Sequence, residues 1–237
     1  MTLLVVTGTG TGVGKTVVTA ALATLTLARG ASCAVVKPAQ TGEADAALGD
    51  LQTVRELSGC IDLHELVRYP DALSPAAAAR RSGRPPLDQA AALDLLLRLS
   101  DRDLVLIEGA GGLLVRYDED GLTLADLARV VRAPVLVVVG AGLGTLNATA
   151  LTLEALAHRG LELSGVVIGS WPAEPGLAER SNLRDLATLA ARPLLGVLPA
   201  GAGSLSVEDF LAAARAGLGP QLGGSFDARA FQASHSG

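Results

Sequence analysis

The sequence predicts a single-domain α/β fold, a mostly parallel sheet flanked by helices, and three observations carry that reading. Short apolar runs alternate with longer Ala- and Leu-rich segments along the 237 residues, the pattern of repeated βα units. Most of the short runs are apolar at consecutive positions, as strands covered on both faces must be. A glycine-rich stretch joins the first apolar run to the first helical segment, where a strand-to-helix turn can present backbone amides to an anion.

Taken in order, strands are predicted at Leu3–Thr7, Ala34–Lys37, Leu104–Glu108, Val135–Gly140, Gly165–Ile168 and Leu194–Leu198. Helices are predicted to begin at Lys15, Asp50, Leu87, Thr145, Leu177 and Ser206. The segment Tyr69–Pro86 holds four prolines and Arg80-Arg81, and reads as a surface excursion with one Ala-rich helical turn and a solvated arginine pair. From Gly217 onward Gly, Ser and Gln dominate, so residues 1–219 are expected to form the domain and residues 220–237 a flexible, frayed tail.

Composition excludes several classes. A hydrophobic fraction of 49% with 18% charged residues is incompatible with a disordered chain. A net charge of −5 without a basic run argues against nucleic acid as the partner. No stretch approaches the roughly 20 apolar residues of a membrane span. The start, Leu3-Leu4-Val5-Val6 turning at once to Thr7-Gly8, is too short for a signal peptide and lacks its basic end. A cytoplasmic protein with no membrane association is expected. Cys33 and Cys60 form no CxxC motif; Cys33 reads as a small buried residue and Cys60 as a turn residue. His64, His158 and His235 are scattered and match no motif.

The glycine-rich stretch is Gly8-Thr9-Gly10-Thr11-Gly12-Val13-Gly14-Lys15-Thr16. Its backbone N–H groups and the following helix start suit a phosphate group. Lys15 can reach the β- and γ-phosphates, and the Thr16 hydroxyl can ligate Mg²⁺. Five residues separate Gly8 from Gly14-Lys15, one more than the strict Walker spacing, so this is a longer variant of that loop. A Rossmann fingerprint fits neither register, because Val13 or Lys15 falls where the third glycine belongs. The expectation is therefore a P-loop NTPase-type fold.

Two further residues stand at predicted strand ends. Glu108 closes an apolar strand and precedes Gly109-Ala110-Gly111-Gly112, where an acid on a neighbouring strand would meet Mg²⁺ and the glycines permit close backbone approach. Lys37 closes the second strand and precedes Pro38-Ala39-Gln40-Thr41-Gly42. A buried strand end is a poor place for a solvated ammonium, so Lys37 should meet an anion; pairing with an acid is the alternative.

The ordered set Gly8-(x5)-Gly14-Lys15-Thr16, Lys37-Pro38-x-x-Thr41-Gly42 and Glu108-Gly109-Ala110-Gly111-Gly112 resembles dethiobiotin synthetase. The resemblance continues through Gly144-Thr145-Leu146-Asn147, Gly169-Ser170-Trp171-Pro172 and Leu198-Pro199-Ala200-Gly201, and covers roughly residues 1–215. It implies a homodimeric ligase that uses ATP and Mg²⁺ to close the ureido ring of dethiobiotin from 7,8-diaminononanoate and CO₂ in biotin biosynthesis. It also implies that Lys15 and Lys37 are catalytic, and that Thr41, with Thr145, Leu146 and Asn147 of the other subunit, binds substrate. Thr145 reads equally as a simple helix N-cap. ATP would lie against Thr11, Gly12, Val13, Gly14, Lys15, Thr16 and Val17, against Asp50 and Glu108-Gly109-Ala110-Gly111, and with its base near Gly169, Ser170, Pro199, Ala200 and Gly201. Thr16, Asp50 and Glu108 would surround the metal; Asp45 competes with Asp50, which is preferred because a helix begins there.

Two departures from the family pattern stand out. Gly169-Ser170 stands where some members carry an Asn-Asp pair whose asparagine reads the adenine edge, which points to backbone recognition of the base and weaker discrimination among nucleotides. Gly12 replaces an acid found in some relatives, which removes a substrate contact. Trp171 reads as packing or as a border to the nucleotide.

Two rival readings share the loop. An amide-forming enzyme of the cobyrinate amidase type would need a glutaminase domain, for which the sequence after residue 200 is too short. A partitioning or positioning ATPase would carry a lysine near the loop start, where this chain has Thr9-Gly10-Thr11. Of the 19 basic residues only Lys15 and Lys37 are lysines. Both fall where a compact ammonium should meet an oxyanion, and a planar guanidinium is no equivalent there.

Overall fold

The structure, a computed structural model, describes residues 2–43 and 49–235. The strands are β1 (Thr2–Gly8), β2 (Cys33–Thr41), β3 (Leu63–Tyr69), β4 (Leu104–Gly112), β5 (Val135–Val139), β6 (Leu163–Trp171) and β7 (Gly196–Pro199). They form one seven-stranded sheet in the order β3-β2-β4-β1-β5-β6-β7, with every pairing parallel. The helices are α1 (Lys15–Leu27), α2 (Asp50–Ser58), α3 (Pro75–Ser82), α4 (Gln89–Arg98), α5 (Leu124–Val130), α6 (Thr145–His158), α7 (Leu177–Leu189), α8 (Val207–Gly217) and α9 (Ala228–His235).

The consecutive apolar runs are covered on both faces. One apolar layer joins Val5, Val36, Val137 and Ile168 to residues of α4, α5 and α7. The other joins Leu4, Val6, Leu136 and Val138 to α1, α2 and Phe210 of α8. Six strands coincide with the predicted runs, and β2, β4 and β6 extend past them at their carboxyl ends, through Thr41, Gly112 and Trp171. Those extensions contain the glycines and polar residues that interrupt an apolar pattern, and they carry the candidate site.

The strand missed by sequence reasoning is β3. His64, Glu65 and Arg68 interrupt its apolar pattern, because it lies at the sheet edge and six of its seven residues are only half-buried. The short helix α5 also escaped, although its cap was legible. The Thr123 amide and hydroxyl donate to Asp126 Oδ2 at 3.0 and 2.6 Å, and the Asp126 amide donates back to the Thr123 hydroxyl at 3.4 Å. The helix expected at Leu87 begins at Gln89, after an Asp88 cap that accepts from the Ala90 amide at 2.8 Å.

The expected frayed tail is corrected among the described residues. Leu218 bridges antiparallel to Gly196, Pro220–Leu222 forms a 3-10 turn, and α9 follows. Phe226 is buried, and Ala228, Phe231, Gln232 and His235 are half-buried. These four are spaced i, i+3, i+4, i+7, a helical face that the surrounding Gly and Ser composition disguises.

Candidate active site

The chain leaves β1 toward β2 on one side and leaves β4 toward β5 on the other, so the carboxyl ends of β1 and β4 border the crevice that such a reversal opens. The glycine-rich loop leads from β1 into α1 there. Gly12 and Gly14 take positive φ of 77° and 95°, conformations open to glycine at little strain. Lys15 begins α1, and its ammonium donates to the Gly10 carbonyl at 2.9 Å. Burial, then the nearby charge of Lys37, holds the Lys15 pKa below its ordinary 10.5.

Because β4 lies between β2 and β1, Glu108 comes between Lys37 and the phosphate loop. Glu108 is fully buried. Its Oε1 accepts from the Thr16 hydroxyl at 2.9 Å and from the Lys37 ammonium at 2.8 Å. Its Oε2 is buried with no hydrogen-bond partner among the described residues. Lys37, 2% exposed, also donates to the Gly109 carbonyl at 3.2 Å and pairs with the Asp50 carboxylate.

Burial alone would lower the Lys37 pKa; Glu108 and then Asp50 outweigh it and raise the pKa above the ordinary 10.5. Asp50 shows the mirror effect. Burial works against its charge, but Lys37, a hydrogen bond from Thr16 and the charge of Lys15 hold its pKa below 3.8. The two readings left open for Lys37, meeting an anion or pairing with an acid, are thus answered by two carboxylates in this structure.

Lys15, Thr16, Lys37, Thr41 and Asp50 face one cavity of about 360 Å³, while Glu108, Gly109 and Val13 are absent from its walls and Glu108 lies buried behind Thr16 and Lys37. Thr11, Gly12, Gly14 and Val17 of the loop region and Ala110-Gly111 after β4 complete it, so most of the predicted phosphate and substrate residues converge. Gly111, at φ 69°, brings its backbone to the loop, where an added Cβ would lie 3.7 Å from the Thr11 hydroxyl. Asp45, the competing acid, lies outside the described residues.

The base-side residues form a second group. Gly169 lies against the loop so closely that an added Cβ would come within 2.2 Å of the Val13 carbonyl. Ser170, Pro199, Ala200 and Gly201 are exposed around that edge. The third group does not reach the cavity within one chain. Thr145, Leu146 and Asn147 are absent from its walls, and Thr145 is not an N-cap: Gly144 is, at φ 91°, while the Thr145 hydroxyl donates to the Gly140 carbonyl at 2.7 Å.

Two supporting residues were missed. The Gln40 side-chain carbonyl accepts from the Asp50 amide at 3.0 Å and so fixes the start of α2 from the end of β2. Its position inside the Lys37-to-Thr41 motif was the available signal. The buried Tyr117 hydroxyl accepts from the Ala110 amide at 3.3 Å, and nothing in its sequence surroundings announces that role.

Comparison with known proteins bears on this arrangement. The sequence matches the AAA domain family over residues 2–204. It is 66% identical over 236 residues to the ATP-dependent dethiobiotin synthetase BioD of Frankia casuarinae, covering 99% of each chain. The chain belongs to the dethiobiotin synthetase family. The member of this family from Streptomyces coelicolor is 54% identical over 236 residues, again covering 99% of each chain. Among solved structures, the septum site-determining protein MinD with Mg-ADP from Pyrococcus horikoshii superposes with a TM-score of 0.53 over 94% of each chain. At 16% identity that likeness concerns the P-loop fold alone.

Among the described residues no helix is long and apolar enough to cross a membrane.

Proposed function

We propose that this chain is an ATP-dependent dethiobiotin synthetase: it closes the ureido ring of dethiobiotin from 7,8-diaminononanoate and CO₂, the ring-forming step of biotin biosynthesis. The observation that carries the reading is Glu108 Oε1, shared by the phosphate-loop Thr16 and by Lys37, which puts both lysines of the chain at one cavity.

The chemistry needs that juxtaposition. One amine of the substrate takes up CO₂ and loses a proton, giving a carbamate. A carbamate oxygen then attacks the γ-phosphorus of ATP and ADP leaves. The second amine attacks the carbonyl carbon of the mixed anhydride, loses a proton as phosphate leaves, and the ring closes. Carbamate and triphosphate are both anions, and two unit charges about 4 Å apart repel by roughly 4 kcal/mol at an effective dielectric near 20. Lys15 holds the transferring phosphate, and Lys37 holds the carbamate and the charge that develops on it. Thr41 orients the substrate at the cavity wall.

The donor set fits Mg²⁺. The orphaned Glu108 Oε2, the Asp50 carboxylate and the Thr16 hydroxyl are hard oxygen donors. Among the described residues no three His, Cys, Asp or Glu side chains form a metal cage. That suits an ion which keeps water and phosphate as its remaining ligands. When bound by Thr16, Asp50 and Glu108, Mg²⁺ supplies charge neutralisation at the β- and γ-phosphates.

The protein is proposed to act as a homodimer. Leu143 is 96% exposed beside Thr145, Leu146 and Asn147, which suits a partner subunit's cavity as their destination. The free, buried thiols Cys33 and Cys60 suit a cytoplasmic setting. The base, met at Gly169 by a residue with no side chain, is held by backbone groups near Ser170 and Pro199–Gly201.

Purified protein supplied with the diamine, bicarbonate, Mg²⁺ and ATP should form dethiobiotin with one phosphate per ring. Phosphate release indifferent to the diamine, with no ureido product, would overturn the assignment.

A further inference from the structure

The folded tail reaches the nucleotide side of the site through Trp171. This tryptophan ends β6 directly after Gly169-Ser170, and its carbonyl accepts from the Ala200 amide at 2.7 Å. Trp171 therefore ties the end of β6 to the Pro199–Gly201 loop. Its indole is 7% exposed and is covered from the tail. Phe231 meets it edge-on at 5.4 Å between ring centroids, and His235 does the same at 5.4 Å. Phe231 and His235 stack on one another at 4.2 Å, so the two residues form one unit on the indole.

The rest of α9 is at most half-buried. No residue of the helix is fully buried, and a cavity of about 180 Å³ remains behind it between Leu183, Leu194, Phe226 and Phe231. The helix is thus held by its half-buried face, with Ala228 and Phe231 on the core, Phe231 against Phe226 at 5.4 Å, and both of its aromatic rings on one indole.

The position of the indole gives the contact a consequence. Gly169 touches the loop at Val13, and an added Cβ on Gly203 would lie 3.3 Å from Val17 at the start of α1. The end of β6 and the loop after β7 thus flank the phosphate loop on the side away from Lys37. A nucleotide whose phosphates occupy the loop, with Lys37 and the substrate cavity on one side, has its base directed to the other side. We propose that α9 is a clamp on Trp171, with Phe231 and His235 as positioning residues that hold the β6 end and the Pro199–Gly201 loop in register to receive the nucleotide base. The inference rests on the nucleotide reading of the site and extends it to a part of the chain with no motif.

Trp171 is the sole tryptophan, so its emission reports on this point directly. Phe231→Ala, His235→Ala and the conservative Phe231→Tyr are compared with the unaltered protein by Trp171 emission during titration with ADP, without diamine, and by steady-state kinetics. An edge-on aromatic pair contributes on the order of one decade of binding at most. Phe231→Ala should therefore raise the ADP Kd and the KM for ATP about fivefold to tenfold, with kcat and the KM for diamine within about twofold. His235→Ala should show a smaller rise, and Phe231→Tyr should bind ADP as the unaltered protein does.

An unchanged ADP Kd in both alanine variants, with Trp171 emission shifted because its cover is gone, would reduce α9 to packing and overturn the proposal. Equal losses in the KM for ATP and for diamine would also overturn it, since they describe general loosening. The ADP titration involves no ring chemistry. Absence of dethiobiotin in the unaltered protein would thus count against the synthetase reading and leave the clamp to be decided by the Kd values.

Discussion

The Lys37 ammonium lies 2.8 Å from Glu108 Oε1, while the second oxygen of the same carboxylate is buried with no hydrogen-bond partner among the described residues. With Asp50 on its other side, Lys37 spans the two acids assigned here to the metal. A buried carboxylate such as Glu108 needs a cation, and in this structure the ammonium serves it together with the half-buried Asp50. Were Glu108 and Asp50 to hold the divalent ion, Lys37 would be released from both carboxylates and left to hold the carbamate.

Glu108→Gln tests the shared oxygen. The amide keeps the shape but loses the charge that orients Lys37 and Thr16. Lys37 still has Asp50, so the loss of stability should be modest, about 1–3 kcal/mol. Ring closure should fall by at least about 100-fold, the scale expected when a fixed electrostatic contact is lost. Steady-state rates and a denaturant melt check both. Turnover within a few-fold of the unaltered protein would exclude Glu108 from the site.

Lys37→Met and Lys37→Arg separate charge from shape. Methionine leaves Glu108 buried without its nearest cation, a loss of about 3–5 kcal/mol, which for a chain of this length lowers the melting temperature by roughly 10 °C. Added Mg²⁺ should restore part of that loss and should raise the melting point of Lys37→Met more than that of the unaltered protein. Arginine retains the charge but must fit a larger head at a position 2% exposed. It should lose most ring-closing activity with a smaller stability change, about 1–3 kcal/mol. Thermal scans across Mg²⁺ concentrations, paired with product formation, distinguish the two.

The legible parts of the molecule are those where one residue type has one physical use. Apolar runs identify the inner strands because a strand covered on both faces tolerates little else. Gly8–Thr16, Lys37 and Glu108 were legible because glycine, ammonium and carboxylate at strand ends have few structural excuses. Gln40 and Tyr117 were not, since a hydrogen bond from either depends on distant backbone that sequence spacing does not encode. The strand β3 was hidden by its edge position. The helix α9 was hidden because its half-buried face asks for only Ala228, Phe231, Gln232 and His235 amid residues typical of a loop, with Phe231 and His235 alone meeting the indole.

Stability against pH follows from Asp50 and Lys37 with opposite signs. The Asp50 pKa is lower in the folded protein than its ordinary 3.8, so its contribution is present above 3.8 and is lost as pH falls through the folded value. The Lys37 pKa is raised above 10.5, so its contribution is complete below 10.5 and is lost as pH rises through the folded value. Denaturant midpoints should therefore fall at both extremes. Asp50→Asn should flatten the acid limb below 3.8, and an unchanged limb would show that Asp50 is not held by Lys37.

Gly169→Ala tests the contact between β6 and the phosphate loop. The added Cβ would meet the Val13 carbonyl at 2.2 Å and Val138 Cγ1 at 2.7 Å, and the first of these is backbone with no rotamer to yield. The glycine opposite is equally constrained, since a Cβ on Gly14 would meet the Gly169 carbonyl at 2.5 Å and φ there is 95°. The two backbones must therefore part. Overpacking of this kind lowers stability by about 1–3 kcal/mol. The displaced element is the loop that cradles phosphate, so nucleotide affinity should fall by at least about tenfold even with diamine saturating. An ADP titration followed by Trp171 emission, beside a denaturant melt, measures the two effects separately. Lost stability with unchanged ADP affinity would show that β6 yields and the loop holds its shape without it.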